Sequence, residues 1–190
     1  MHEINPVITD VQKKIIIGSI LGGASIVSPE DCVNSYLSFR CKDSEWFNFK
    51  AIELKSLASK KSTITDATNR WHSKCYPIFN EHKSSFFYKG KRRLTLDNLE
   101  RLWDLSLGVW FVDSGYYKKE QVVFNTNIWG KKGTEVIKKY FNLLDYDVEI
   151  FLEKKKFRIR FDPKSSLNFL QLIVPTLPLF ILNQNLPPNK

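Results

Sequence analysis

Two stretches of the chain are apolar at most positions over the length of a short helix, and both stop at glycine. Val11 to Leu21 (VQKKIIIGSIL) carries Gly18 and Ser19 inside it and runs into Gly22-Gly23-Ala24. Leu102 to Val112 (LWDLSLGVWFV) carries Ser106 and Gly108 and runs into Asp113-Ser114-Gly115. Run length and glycine stop together predict a helix for each. Small residues within an apolar helix let another backbone come close. The two are therefore expected to pack on each other, each supplying the small patch the other needs.

The segments after the two helices are alike. After the first come a strand-like YLSFRCK (Tyr36 to Lys42) and a helix-like WFNFKAIELKSLA (Trp46 to Ala58). A strand-like NRWHSKCY (Asn69 to Tyr76) and a helix from Pro77 to Tyr88 complete that half. After the second come VVFNTNIW (Val122 to Trp129) and a helix TEVIKKYFNLL (Thr134 to Leu144). A strand KFRIRF (Lys156 to Phe161) and a helix SLNFLQLIV (Ser166 to Val174) come last. Shorter strands at Ser25 to Val27, Tyr116 to Lys118 and Val148 to Leu152 would complete hairpins. The second glycine-terminated helix starts 91 residues after the first (Leu102 against Val11), which predicts an internal duplication. One half is expected over residues 1–93 and the other over 94–190, joined by a short basic linker from Gly90 to Thr95.

Strand side chains alternate between faces, so each strand-like run can be split in two. In YLSFRCK the apolar face is Leu37, Phe39 and Cys41, and the other is Ser38, Arg40 and Lys42. The polar face of NRWHSKCY is Arg70, His72 and Lys74. In KFRIRF, Phe157, Ile159 and Phe161 point in while Lys156, Arg158 and Arg160 point out. The run from Gln121 sets Val122, Phe124, Thr126 and Ile128 against Gln121, Val123, Asn125 and Asn127. Three strands thus offer Arg, Lys or His, and the fourth offers amides. Those side chains neutralise phosphates and read base edges. A wet sheet face ordinarily mixes signs, yet these faces carry no acid.

Composition and charge point the same way. At 190 residues, with 43% hydrophobic and 14% aromatic content, the chain can bury a packed interior. Its 29 Lys+Arg against 20 Asp+Glu give a formal +9 and a pI near 9.4, which suits a polyanionic partner. Nucleic acid comes first, an anionic membrane surface second. Cys32, Cys41 and Cys75 form no CxxC pair and have no zinc-like His spacing, so reduced thiols in a reducing compartment are expected. His2, His72 and His82 are too scattered for a metal site; His72 is a candidate phosphate or base contact and His82 a helix-surface residue. The N-terminal MHEINPVITDVQKK, with its acids and proline, reads as neither a signal nor a transit peptide. The apolar stretch Leu167 to Leu182 is broken by Asn168, Gln171, Pro175, Thr176 and Pro178 and is not expected to span a bilayer. A soluble protein kept inside a cell or organelle is the expectation.

Ile15 to Ile26 (IIIGSILGGASI) and Leu107 to Tyr117 (LGVWFVDSGYY) resemble the two motif helices of a single-chain LAGLIDADG homing endonuclease. Arg70 to Thr95 is similar to the segment before the second motif in the intron-encoded branch, and Asn168 to Phe180 to its closing helix. The resemblance covers nearly the whole chain. It implies an α+β fold of two αββαββα halves about a pseudo-twofold axis, forming a basic β-saddle. It also implies that the motif helices pack at that axis and that an acid at the end of each holds divalent metal over the scissile phosphates. The chemistry requires those acids, because hard Mg²⁺ takes oxygen ligands and clamps the attacking and leaving oxygens.

Both acid positions depart from the family pattern: Gly23 stands at the first and Ser114 at the second. Asp113 is adjacent, but one helical step turns a side chain about 100° away, so a solvent-facing helix end is its simpler role. Glu30 and Asp31 would reach the site only if their loop folded back. Lys91, after Gly90, lies where the family often carries a basic residue near the catalytic centre. The expected function is nucleic-acid binding without cleavage or cofactor, with structured RNA favoured over duplex DNA. A maturase-like protein or a component of a ribonucleoprotein particle, organellar for instance, would suit. The expected interface is Arg40, Lys42, Arg70, His72, Lys74, Asn125, Asn127, Lys156, Arg158 and Arg160. The alternative is an active or weakened Mg-dependent site-specific DNA endonuclease using Asp113 or loop acids. A protein–protein module with an incidental basic face comes third. The duplication supplies its own second half, so a monomer is expected.

Overall fold

The computed structural model describes residues 5–60, 69–100 and 102–181. The first motif helix, α1 (Asp10–Gly22), begins at a capping box in which Thr9 and Gln12 exchange side-chain-to-backbone hydrogen bonds of 3.2 Å. It ends because Gly23 adopts φ +124°, bringing its N–H onto the Ile20 carbonyl. After it come β1 (Ser25–Val27), β2 (Tyr36–Cys41), α2 (Ser44–Glu53), β3 (Asn69–His72) and α3 (Pro77–Phe86). A hairpin, β4 (Phe87–Tyr88) and β5 (Lys91–Arg92), leads to the second motif helix, α4 (Asp104–Ser114). The remainder is β6 (Gly115–Lys118), β7 (Gln121–Asn125), α5 (Gly130–Leu143), β8 (Val148–Glu153), β9 (Lys156–Phe161) and α6 (Pro163–Ile173).

The two motif helices pack directly on each other, as their small residues predict. A Cβ added at Gly18 would lie 2.5 Å from the Ser106 carbonyl oxygen, and one at Gly22 would lie 2.4 Å from Asp113 Cβ. Gly108 serves a different neighbour. Its missing side chain makes room for Leu177 and Thr176, after α6.

Each sheet is antiparallel. The first runs β1-β2-β3 and the second β6-β7-β9-β8. Leu37, Phe39 and Cys41 on β2, and Ile159 and Phe161 on β9, are buried against helices, so the opposite face of each sheet is the free one. The core is aromatic-rich: Phe124, Phe141, Phe161 and Phe169 contact one another, with Trp110 against Phe124 and Phe141.

Several expected boundaries move: the strand expected to Tyr76 ends at His72, and the helices expected from Thr134 and Ser166 start at Gly130 and Pro163. The strand expected through Trp129 stops at Asn125, and residues Asn127–Trp129 form a 3₁₀ turn. That turn buries the Trp129 ring and lets its Nε1 donate to the Leu21 carbonyl at 3.2 Å, which a continuing strand would not. The helix expected to Tyr88 ends at Phe86, and the expected linker is the β4–β5 hairpin, closed by Gly90 at φ +75°. The helix expected to Ala58 ends at Glu53, followed by a 3₁₀ turn at Lys55–Leu57.

Candidate nucleic-acid interface

Register places the polar side chains of the first sheet in rows. Ser25 lies opposite Ser38, Ser38 opposite His72, and Arg40 opposite Arg70. These residues line a cleft of about 480 Å³ with Gly22, Gly23, Ala24, Tyr36 and Asp113. Arg70 is half-buried, and its Nε is buried without a hydrogen-bond partner. His72 packs edge-on to Tyr36, with ring centroids 5.4 Å apart. Lys42 and Lys74 fall just past the ends of β2 and β3, both exposed.

The second sheet brings Tyr116 and Val123 to one level with Arg160 and Glu149, and Asn125 to one level with Arg158 and Phe151. Here an expectation needs correcting: the face is not free of acid. Strand β8, unassigned to a face from the sequence, presents Glu149 and Glu153 beside the arginines. Arg160 donates from Nε to Glu149 Oε1 at 2.6 Å, with a second donor of the same guanidinium on that oxygen. Arg158 pairs with Glu153 at 2.8 Å and with the Tyr116 hydroxyl at 3.3 Å. Each guanidinium also lies over a ring, Arg158 on Tyr116 at 5.5 Å and Arg160 on Phe151 at 5.1 Å. Lys156 is exposed at the strand start, opposite Glu153. Asn127 lies off the sheet, in the 3₁₀ turn, where its Oδ1 accepts from the Phe157 N–H at 3.3 Å. Asn125 remains on the face, with a buried Oδ1 that has no hydrogen-bond partner.

Between the sheets, the ends of α1 and α4 meet. Gly23 brings no side chain, and the Ser114 hydroxyl donates to the Trp110 carbonyl of its own helix at 3.2 Å. Asp113 is not a solvent-facing helix end, as the helical step suggested. It is drawn under α1 by three donor contacts: Trp46 Nε1 to Oδ1 at 2.6 Å, and Lys50 Nζ to Oδ1 at 2.7 Å and to Oδ2 at 2.8 Å. The Lys50 side chain is 1% exposed and that of Asp113 11%. The ammonium also lies 4.4 Å from the Phe39 ring centre and 5.4 Å from that of Trp46. Burial pushes the neighbouring Cys41 thiol up to about 11, opposed by Lys50 and reinforced by Asp113.

A second cation occupies the other side. Arg92 donates to the carbonyls of Ile20, Gly23 and Ala24 at 3.2, 3.1 and 2.7 Å, capping the C-terminus of α1. Its guanidinium lies between the Phe87 and Trp129 rings, and burial lowers its pKa from the usual value. Lys91, one step before it, is exposed on the hairpin. Sequence reading missed both Lys50 and Arg92. Glu30 and Asp31 are exposed, and Asp31 lines a separate cleft with Lys74 and Cys75. His82 is half-buried on its helix, packed between Phe79 and Phe86, and burial lowers its pKa to about 4. His2 lies outside the described residues. Among the described residues, no three His, Cys, Asp or Glu side chains gather as a metal would need, and no helix is long and apolar enough to cross a membrane.

Two motif helices packed at a pseudo-twofold axis, each leading into an antiparallel sheet with its free face turned away from the helices, define the homing-endonuclease class of fold. The chain belongs to the LAGLIDADG DNA endonuclease family, whose sequence profile matches residues 13–169. No curated protein matches it. Among solved structures it is similar to the homing endonuclease I-WcaI bound to its DNA recognition sequence. That likeness has 20% identity, 97% of this chain and 89% of the other covered, and a TM-score of 0.86. It is also similar to I-DmoI in complex with DNA and Mn, at 11% identity, 88% and 98% coverage and a TM-score of 0.58. Full-length DUF199/WhiA from Thermatoga maritima matches at 10% identity, 96% and 64% coverage and a TM-score of 0.56.

Proposed function

We propose that this protein binds nucleic acid across its two-sheet saddle and does not hydrolyse it. One observation carries the second half. Asp113, the only carboxylate at the paired helix ends among the described residues, has both oxygens engaged by Lys50 and Trp46. A divalent cation there would have to displace a buried ammonium at 2.7 Å, with no second carboxylate from Gly23 or Ser114 to hold it. Hard cations need several oxygen ligands, and these residues do not fit one. The backbone at Gly23 agrees with that reading. At φ +124°, Gly23 has a conformation that an aspartate would adopt only under strain.

Binding is supported by the cationic rows, Arg40 with Arg70 and His72, and by the formal +9 charge. Structured RNA is the proposed ligand. Guanidinium groups over the Tyr116 and Phe151 rings suit unpaired bases, which are recognised by stacking on aromatic and Arg surfaces. Duplex DNA is the second reading, favoured because the I-WcaI and I-DmoI structures hold DNA. Service in a ribonucleoprotein particle, organellar for instance, would accord with the RNA reading. The test is competition between a structured RNA and a DNA duplex over a salt series, together with identification of nucleic acid that co-purifies from the source. RNA preference with an inverse salt dependence is expected. A response flat in salt for both ligands refutes the nucleic-acid reading, and a duplex preference refutes the RNA assignment.

A further inference from the structure

The two sheets carry their arginines in opposite electrostatic states. On the first sheet, Arg40 and Arg70 are direct cross-strand partners. Like charges in that position repel, and among the described residues neither has a carboxylate within ion-pair distance. Strands β1 to β3 contain no Asp or Glu at all. The pair is a site whose repulsion a bound phosphate would relieve. On the second sheet, β8 aligns Glu149 with Arg160 and sets Glu153 within reach of Arg158, so each guanidinium already has its anion.

We propose that Glu149 and Glu153 mask Arg160 and Arg158, dividing the saddle into a phosphate-anchoring sheet and a charge-neutralised reading sheet. The inference rests on the nucleic-acid reading above. Arg40 and Arg70 grip any nucleic-acid backbone. The masked pairs withhold charge from an arbitrary sequence and leave their carboxylates only where a ligand supplies better partners, a base edge or a correctly placed phosphate. Glu149 and Glu153 are therefore specificity-determining residues, which suppress non-specific affinity. Arg158 is the more buried of the two arginines, and its Nε is left without a hydrogen-bond partner. Its side chain is 17% exposed, against 40% for Arg160, and it is additionally bonded to Tyr116.

The test measures affinity for an RNA hairpin and a DNA duplex, both of arbitrary sequence, as a function of salt. The proteins are wild type, Glu149→Gln/Glu153→Gln, Arg40→Ala/Arg70→Ala, and Glu81→Gln as a charge control on α3. Each phosphate contact contributes about 0.7–0.9 to the slope of log affinity against log salt, and about fivefold in affinity near 0.15 M salt. The double Gln variant is expected to bind both ligands more tightly, by up to about 25-fold, with a slope steeper by up to about 2. The double Ala variant is expected to lose a similar amount, and Glu81→Gln to leave the slope unchanged. Circular dichroism confirms the fold of each. If wild type binds and the Gln pair matches it in affinity and slope, or if Glu81→Gln reproduces the whole gain, the masking proposal is overturned while nucleic-acid binding stands. Absence of wild-type binding to either ligand overturns the function itself, and this inference with it.

Discussion

Replacing Asp113 tests whether that carboxylate belongs to the fold or to a metal. Lys50 is buried, and besides Asp113 its polar neighbours are Ser19 Oγ at 3.4 Å, longer than a good hydrogen bond, and the Cys41 thiol. Asp113→Ala would leave the ammonium uncompensated against the Phe39 and Trp46 rings. Breaking a buried pair from one side costs about 3–5 kcal/mol, which in a domain of this size corresponds to a fall in Tm of about 6–20 °C. Lys50→Met should cost less, about 1–2 kcal/mol, because Asp113 keeps the Trp46 N–H and an edge open to the cleft. Lys50→Met/Asp113→Ala should cost clearly less than the two single changes together, since removing both partners leaves no buried charge unpaired. The measurement is urea unfolding followed by tryptophan fluorescence, with Trp46 as a reporter within the cluster, and a double-mutant coupling of about 2 kcal/mol or more is expected. The reasoning fails if Asp113→Ala lies within about 0.5 kcal/mol of wild type. It fails equally if Mg²⁺ raises the Tm of wild type but not of that variant.

The same geometry gives three further outcomes. Gly23→Asp forces an L-residue to φ +124° and should destabilise the protein by about 1–3 kcal/mol in urea melts, without gain of cleavage even beside Ser114→Asp. Arg92→Met leaves the carbonyls of Ile20, Gly23 and Ala24 without their cation and should lower stability by about 2–3 kcal/mol, seen as early hydrogen exchange at the end of α1. His82 has its folded pKa lowered to about 4 from 6.5, so the unfolded chain binds the extra proton between those values. Its contribution is complete above pH 6.5 and is lost as pH falls through 4, on the order of 3 kcal/mol. In His82→Gln, stability curves compared over that window should lack this component.

Much of the frame was legible from periodicity. The strand KFRIRF is observed over Lys156–Phe161 as alternation predicts, and Gly18 and Gly22 mark the close helix contact. What could not be read locally depends on partners distant in sequence. Lys50 and Asp113 are 63 residues apart, and only the position of Lys50 on the helix face that buries Trp46 and Phe47 hinted at an unusual lysine. Arg92 comes after Lys91 in an ordinary basic run, and nothing nearby announces that its donors reach α1, 68 to 72 residues back. Trp129 continued an alternating pattern, yet burial of its ring against Arg92 and Phe86 ended the strand early. The masking acids were within reach of alternation, because VEIFLE puts Glu149, Phe151 and Glu153 on one face. It took the β8–β9 register to show that this face is shared with Arg158 and Arg160.

The central claim, a saddle that holds nucleic acid at a centre that no longer cuts it, is tested most directly by a single incubation. Purified protein is mixed with its own gene's flanking DNA and with a structured RNA, in Mg²⁺ or Mn²⁺. Native gels then report binding and denaturing gels report strand integrity. Shifted, intact nucleic acid with affinity unchanged in EDTA is the predicted result. Clean strand breaks that depend on the metal and vanish in Asp113→Asn would contradict it.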